Sequence, residues 1–195
     1  MELQGTYTNT WCDNVTFAWD ALFGHYKGVP GVKFLEIGSY EGRSTAYLAK
    51  HYLTGVDSKI TCIDTFEGSM EHTSAEREAL YQRFLENIQA EGIADQTEVK
   101  VGTSSHWLPR LIALDAQYDV VYIDGSHIAA DVMTDATLAM QLLKPGGVLL
   151  FDDYAWDKYP EPELNPRLAI DAFCAIWRTK TRMLHRAYQV ALLKL

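Results

Sequence analysis

Apolar runs alternate with helix-spaced patterns along most of the chain. VKFLEI (32–37), SKITCIDTF (58–66), TEVKVG (97–102), YDVVYIDG (118–125) and GGVLLFDDY (146–154) predict five strands. Between them apolar residues recur every three or four positions. Ala79, Leu80, Phe84, Leu85 and Ile88 form one such series, and Val132, Ala136, Ala139, Met140 and Leu143 another, so these segments predict helices. Strands four and five are apolar nearly throughout, which requires cover on both faces and indicates a parallel sheet. Alternating strands and helices give an α/β fold with helices on both faces and right-handed crossovers. Two ends depart from the alternation. Residues 11–27 (WCDNVTFAWDALFGHYK) predict an amphipathic helix before strand one. After YPEPELNP and the helical RLAIDAFCAIW, the segment KTRMLHRAYQVALLKL predicts a hairpin that adds an antiparallel strand. No repeat or linker interrupts 1–195, which predicts a single domain: a helical cap (1–30), a core (31–155), and a helix with a hairpin (156–195).

Composition narrows the partners. The 195 residues are 48% hydrophobic and 22% charged, ordinary values for a globular protein. Seventeen basic and 26 acidic residues leave a net charge of −9, and no Lys/Arg run offers a groove for a phosphate backbone, which disfavours nucleic acid. Cys12, Cys62 and Cys174 are odd in number and far apart, a pattern that fits a reducing, cytoplasmic setting. The opening MELQGTYTNTWCDN lacks the charged and apolar regions of a signal peptide, and no apolar run nears the ~20 residues of a membrane span.

The stretch FLEIGSYEGRST (34–45) carries the first candidate chemistry. It reads as strand, tight turn and helix, the layout of a nucleotide-binding loop, yet no window spells G-x-G-x-x-G. Gly38 and Gly42 are present with Tyr40 between them. The middle glycine of a dinucleotide site lets the backbone approach a pyrophosphate, so Tyr40 argues against NAD or FAD. Asp64 ends strand two. A carboxylate there can accept both ribose hydroxyls of a nucleoside lying over the first turn, or it can be a solvated loop acid. Glu36 lies inside an apolar strand and needs a partner, which a bound ammonium would supply.

Taken together these residues resemble the class I S-adenosylmethionine-dependent methyltransferases. Glu36-x-Gly38-x-x-x-Gly42 matches the family's first motif, Asp64 its second acidic residue, and VVYIDGSH with QLLKPGGVLLFDD its later motif. The resemblance covers roughly residues 30–155. It implies a Rossmann-like doubly wound sheet of order 3-2-1-4-5-7-6 with the last strand antiparallel. S-adenosylmethionine carries no phosphate, so a tyrosine is tolerated in the turn. By analogy, Glu36 would meet the methionine ammonium and Asp64 the ribose. Gly38, Ser39, Tyr40, Gly42 and Ser44 would line the turn, Thr65 or Phe66 would lie near the adenosine, and Ser104 would reach the adenine edge.

In that strand order Asp124, Asp152 and Asp153 end neighbouring strands, where three carboxylates together would call for Mg²⁺ or another divalent ion. The catechol and macrocin types of small-molecule O-methyltransferase use such a site, and IDGSH with FDDY looks most like the macrocin-like group. Asp153 stands where the catechol group has Asn. The resemblance places Asp124 beside cofactor, metal and reaction alike, and His127 beside the metal as a base toward a substrate hydroxyl. A solvated loop of acids, with His127 bonding its own turn, is the plainer alternative. Tyr154, Trp156 and Tyr159, with Trp11, Phe17 and Trp19, are candidates for an apolar acceptor pocket, although core packing suits Phe17 better. Residues 67–76 join strand two to its helix, or else form a lid. The expected partner is a small molecule bearing a hydroxyl, and a homodimer is compatible with the sequence. A nicotinamide-dependent oxidoreductase and a non-catalytic binding domain share the fold and stay open at this point.

Overall fold

The computed structural model describes residues 3–14, 16–68 and 73–195. Seven strands form one sheet: β1 (Lys33–Ile37), β2 (Lys59–Asp64), β3 (Thr97–Val101), β4 (Tyr118–Ile123), β5 (Leu143–Phe151), β6 (Thr181–Arg186) and β7 (Val190–Lys194). Their order is β3-β2-β1-β4-β5-β7-β6. β1 and β2 pair in parallel with Glu36 opposite Cys62, and Asp64 of β2 stands opposite Val101 of β3. β7 runs antiparallel to both β5 and β6. The expected fold and strand order are those observed.

The chain packs as two compact units, residues 1–103 and 104–195. In the first, α1 (Trp19–Phe23) precedes β1, α2 (Arg43–Tyr52) follows it, and α3 (Ser74–Arg77) and α4 (Leu80–Ala90) lead to β3. The core is strongly aromatic. Phe23 meets Phe34 and Tyr52 edge-on with centroids 5.6 Å apart, and Tyr26 meets Phe34 at the same separation. Rings of this size bury 150–250 Å² each, so the short α1 is secured by its side chains. The single helix expected over 11–27 is instead a series of short turns around α1, at Trp11–Asn14, Thr16–Ala18 and Gly24–Tyr26. Asp13, Asn14 and Thr16 favour caps and turns over helix interiors. Asp13 is also drawn aside by a bidentate contact with Arg43, at 2.9 and 2.6 Å. Phe17 is 71% exposed, so it does not join the core. Of the 67–76 segment, residues 69–72 lie outside the described residues, and α3 begins at Ser74.

Residues 3–14 are tied across this unit. Glu91 accepts the amides of Gln4 and Gly5, Asn87 that of Thr6, and Glu41 that of Thr8, all at 2.6–2.8 Å. Arg83 and Lys50 neutralise Glu41 and Glu91 from the other side, at 3.0 and 2.5 Å.

In the second unit α5 (Ser104–Ala113), α6 (Ala129–Leu142) and α7 (Pro166–Ile176) accompany β4 to β7. Val120, Val121, Tyr122, Leu149, Leu150 and Phe151 are all buried, as strands covered on both faces must be. β5 begins earlier than the expected 146. Tyr118 pairs with Leu143 but Val120 with Val148, so the residues between bulge, and Lys144 pairs with Asp119 at 2.7 Å beside them. No helix among the described residues is long and apolar enough to cross a membrane.

Candidate functional site

The first unit's chemistry sits where β1 runs out. Gly38, with φ of +87°, donates its amide to Ile63 at 2.9 Å and turns the chain off the strand. Gly42 caps α2 with φ of +81°, and a Cβ there would lie 3.0 Å from the Phe84 ring, so any other residue would be strained. Tyr40 is held at φ of +47° between them. Asp64 secures that shape. Its Oδ2 accepts the amides of Ser39 and Tyr40 at 2.7 and 2.8 Å, and its Oδ1 accepts that of Phe66 at 2.6 Å. Asp64 therefore organises the turn, in addition to any ligand it meets. The Tyr40 ring stacks on Trp11 at 5.9 Å, which places the exposed Trp11 against the turn.

Glu36 is fully buried at the end of β1. Thr45 donates its hydroxyl to Oε2, and the Cys62 thiol lies 3.6 Å from the same oxygen. Oε1 has no hydrogen-bond partner, and neither does the buried Ser39 hydroxyl. Burial raises the Glu36 carboxyl above the usual range, opposed first by the Thr45 hydroxyl. A buried carboxylate oxygen with no donor is costly, and a cationic N–H donor offsets that cost. The residues thus fit the ammonium end of S-adenosylmethionine. Phe66, by contrast, turns inward, with its ring against Tyr81 and Phe84 at 4.8 and 5.0 Å. The Thr65 hydroxyl accepts the Glu67 amide at 3.3 Å.

The second unit carries the acids and the imidazole. Ser104 opens α5, and its hydroxyl donates to Asp135 of α6, a residue not expected from the sequence. Burial pushes the Asp135 carboxyl up to about 6, against the Ser104 hydrogen bond.

Asp124 follows β4, and Asp152 and Asp153 follow β5. The three carboxylates do not converge as a set. Asp152 turns inward: its Oδ2 accepts the Tyr122 hydroxyl and, at 3.1 Å, the Gln189 amide, while its Oδ1 accepts the Asp153 amide at 2.8 Å. Burial, reinforced by the charge of Asp153, pushes Asp152 up to about 6. Asp153, at φ of +58°, faces the other way. Its Oδ2 lies 3.0 Å from His127 Nε2. Among the described residues, the group able to hold a metal is Asp124, His127 and Asp153, with one donor atom from each within 4.8 Å of the others. Asp152 lies outside this group and His127 within it. Two hard carboxylates with one imidazole suit a divalent ion such as Mg²⁺ or Mn²⁺. The His127 ring stacks on Trp156 at 4.5 Å, and Tyr159 meets Trp156 edge-on at 5.0 Å. Tyr154 is buried elsewhere, bonded to Asp171 and Arg186.

Tyr122, Tyr188 and Gln189 are the participants that the sequence reading missed. Tyr122 was detectable, since residues two apart on a strand share a face and Asp124 is two positions on. Tyr188 and Gln189 gave no local signal, because their partners lie 35 and 37 residues away.

Residues 35–154 match the family described as "Methyltransferase domain". No curated protein matches the chain. Among solved structures, an O-methyltransferase from Bacillus cereus in complex with SAH is similar at a TM-score of 0.68 and 15% identity, covering 97% of this chain and 84% of that one. CalS11, a calicheamicin methyltransferase, gives a TM-score of 0.67 at 17% identity, with 95% and 80% covered. MycE, a methyltransferase from the mycinamycin biosynthetic pathway in complex with Mg and SAH, gives 0.62 at 17% identity, with 97% of this chain but 51% of that one covered. At these identities the structures establish the fold, while the family match spans the turn after β1 and the acids after β4 and β5. The chain belongs to the class I S-adenosylmethionine-dependent methyltransferases.

Proposed function

We propose that this protein transfers a methyl group from S-adenosylmethionine to a hydroxyl of a small molecule, with Asp124, His127 and Asp153 handling the acceptor. The grouping of those three side chains at the ends of β4 and β5 carries the reading, because it gives a hydroxyl a place to lose its proton. Membership in the methyltransferase family sets aside the nicotinamide-dependent alternative.

S-adenosylmethionine, when bound, supplies a methyl on a positively charged sulfur. Glu36 Oε1 and the Ser39 hydroxyl would hold its ammonium, and the turn fixed by Asp64 would seat the rest. His127 is oriented by Asp153. In the reading without a cation, a neutral His127 with Nε2–H directed at Asp153 would offer Nδ1 to the acceptor's proton. A divalent ion at the group would bind acceptor oxygens and lower a hydroxyl pKa. Trp156, stacked on His127, would present an apolar wall to the acceptor. Much of the acceleration in such a displacement comes from aligning the two reactants.

The test is formation of S-adenosylhomocysteine over a panel of diols, sugars, phenols and amines, with the methylated atom identified by NMR, with Mg²⁺ or Mn²⁺ and with EDTA. Turnover that EDTA abolishes supports the cation, and turnover unaffected by EDTA but lost in His127→Ala supports the base acting alone. Transfer only to nitrogen or carbon acceptors would overturn the reading.

A further inference from the structure

Two tyrosine hydroxyls, from different parts of the second unit, reach the two carboxylates of the candidate cation group. Tyr122, buried on β4, has its hydroxyl 2.9 Å from Asp124 Oδ2 and also bonded to Asp152. Tyr188, in the turn joining β6 to β7, donates to Asp153 Oδ1 at 3.1 Å. Both are anchored. The Tyr188 carbonyl accepts the Tyr154 amide at 2.9 Å, and the turn is closed by the Ala187 amide on the Gln189 carbonyl at 2.8 Å. The next residue, Gln189, holds Asp152. The hairpin turn therefore grips both acids of the pair that follows β5.

A carboxylate on a short side chain rotates unless something fixes one oxygen. Asp153 shows the fixed state: Oδ1 accepts a hydrogen bond from the Tyr188 hydroxyl and Oδ2 faces His127. Tyr122 has one proton for two carboxylates, and it can give that proton to Asp124 because Asp152 also accepts from Gln189 and the Asp153 amide. Groups that bond to metal ligands in this way orient them, and their loss typically weakens metal affinity 10- to 100-fold.

We infer that Tyr122 and Tyr188 are positioning residues that aim Asp124 and Asp153 at a shared divalent cation, which makes the β6–β7 turn part of the acceptor site. This rests on the reading of Asp124, His127 and Asp153 as a cation group. Mn²⁺ is titrated into the parent protein, Tyr122→Phe and Tyr188→Phe, free Mn²⁺ is followed by electron paramagnetic resonance, and melting is measured without metal. The expected result is binding by the parent and affinity weaker by about 10- to 100-fold in each variant, with the melting temperature of Tyr188→Phe unchanged. Tyr188 is 40% exposed, so that variant keeps the test informative if Tyr122→Phe folds poorly. Parent binding with Tyr188→Phe equally tight overturns the inference and leaves the cation reading standing. A parent that binds no Mn²⁺ while still producing S-adenosylhomocysteine overturns both.

Discussion

At the scale of single residues, Glu36 and Asp135 are buried carboxylates whose charge burial disfavours. Glu36 is kept for what it binds. Glu36→Gln removes a charge that burial disfavours, so the unliganded protein should become more stable at neutral pH, while S-adenosylmethionine affinity falls. A charged hydrogen bond of about 1.5–3 kcal/mol sets the size of that fall, roughly 10- to 150-fold, and calorimetry with parallel melting curves reads both signs. Asp135 has a raised folded pKa of about 6 against a usual 3.8. The neutral form suits its site, so its contribution is fully present below about pH 4 and is lost as pH rises through about 6. A shift of this size corresponds to about 2–3 kcal/mol. Asp135→Asn should therefore stabilise the protein at pH 8 and show little or no gain at pH 4. Urea titrations at both pH values check this, and an equal gain at both would contradict the burial argument.

At the scale of elements, the turn after β1 is one cooperative piece. A single carboxylate, Asp64, gathers the amides of Ser39, Tyr40 and Phe66, and Gly42 closes the piece against Phe84. Asp64→Ala should destabilise the unliganded protein by about 1–3 kcal/mol, the scale of unpaired buried groups, besides weakening cofactor binding. Loss of affinity at unchanged stability would mean that Asp64 serves the ligand alone. The strands were legible in the sequence because β4 and β5 are apolar on both faces, and the terminal hairpin because its two short runs leave no room for a helix. The turns around α1 were not. Their aromatic spacing fits a helix, and the competing preferences of Asp13, Asn14 and Thr16 are decided by contacts such as Asp13 with Arg43. Within the candidate site, residue types and positions at strand ends were legible, but orientation was not. Asp152 and Asp153 lie past the end of β5, where strand alternation no longer sets direction. Which one faces inward depends on Tyr122 and Gln189, 30 and 37 residues distant.

At the scale of the whole molecule, long-range ties matter more than any local propensity. Residues 4–8 bond to Glu41, Asn87 and Glu91, so the first unit keeps its opening segment through contacts 33 to 87 residues apart. A chain lacking residues 1–8 leaves Glu41 and Glu91 buried with fewer donors. It should melt at a lower temperature, by the several degrees expected for a loss of a few kcal/mol. A melting temperature equal to the parent's would show that Arg83 and Lys50 suffice for the two acids. The position of β7 has a further consequence, one of timing. β7 follows β6 in the chain but lies between β5 and β6, joined to both. As the polypeptide leaves the ribosome, β6 emerges with nowhere to pair, and the edge of β5 stays open to other chains until Val190 to Lys194 have appeared. A chain truncated after Arg186 would carry an unprotected β5 edge, the kind of surface that chaperones shield and that seeds aggregation.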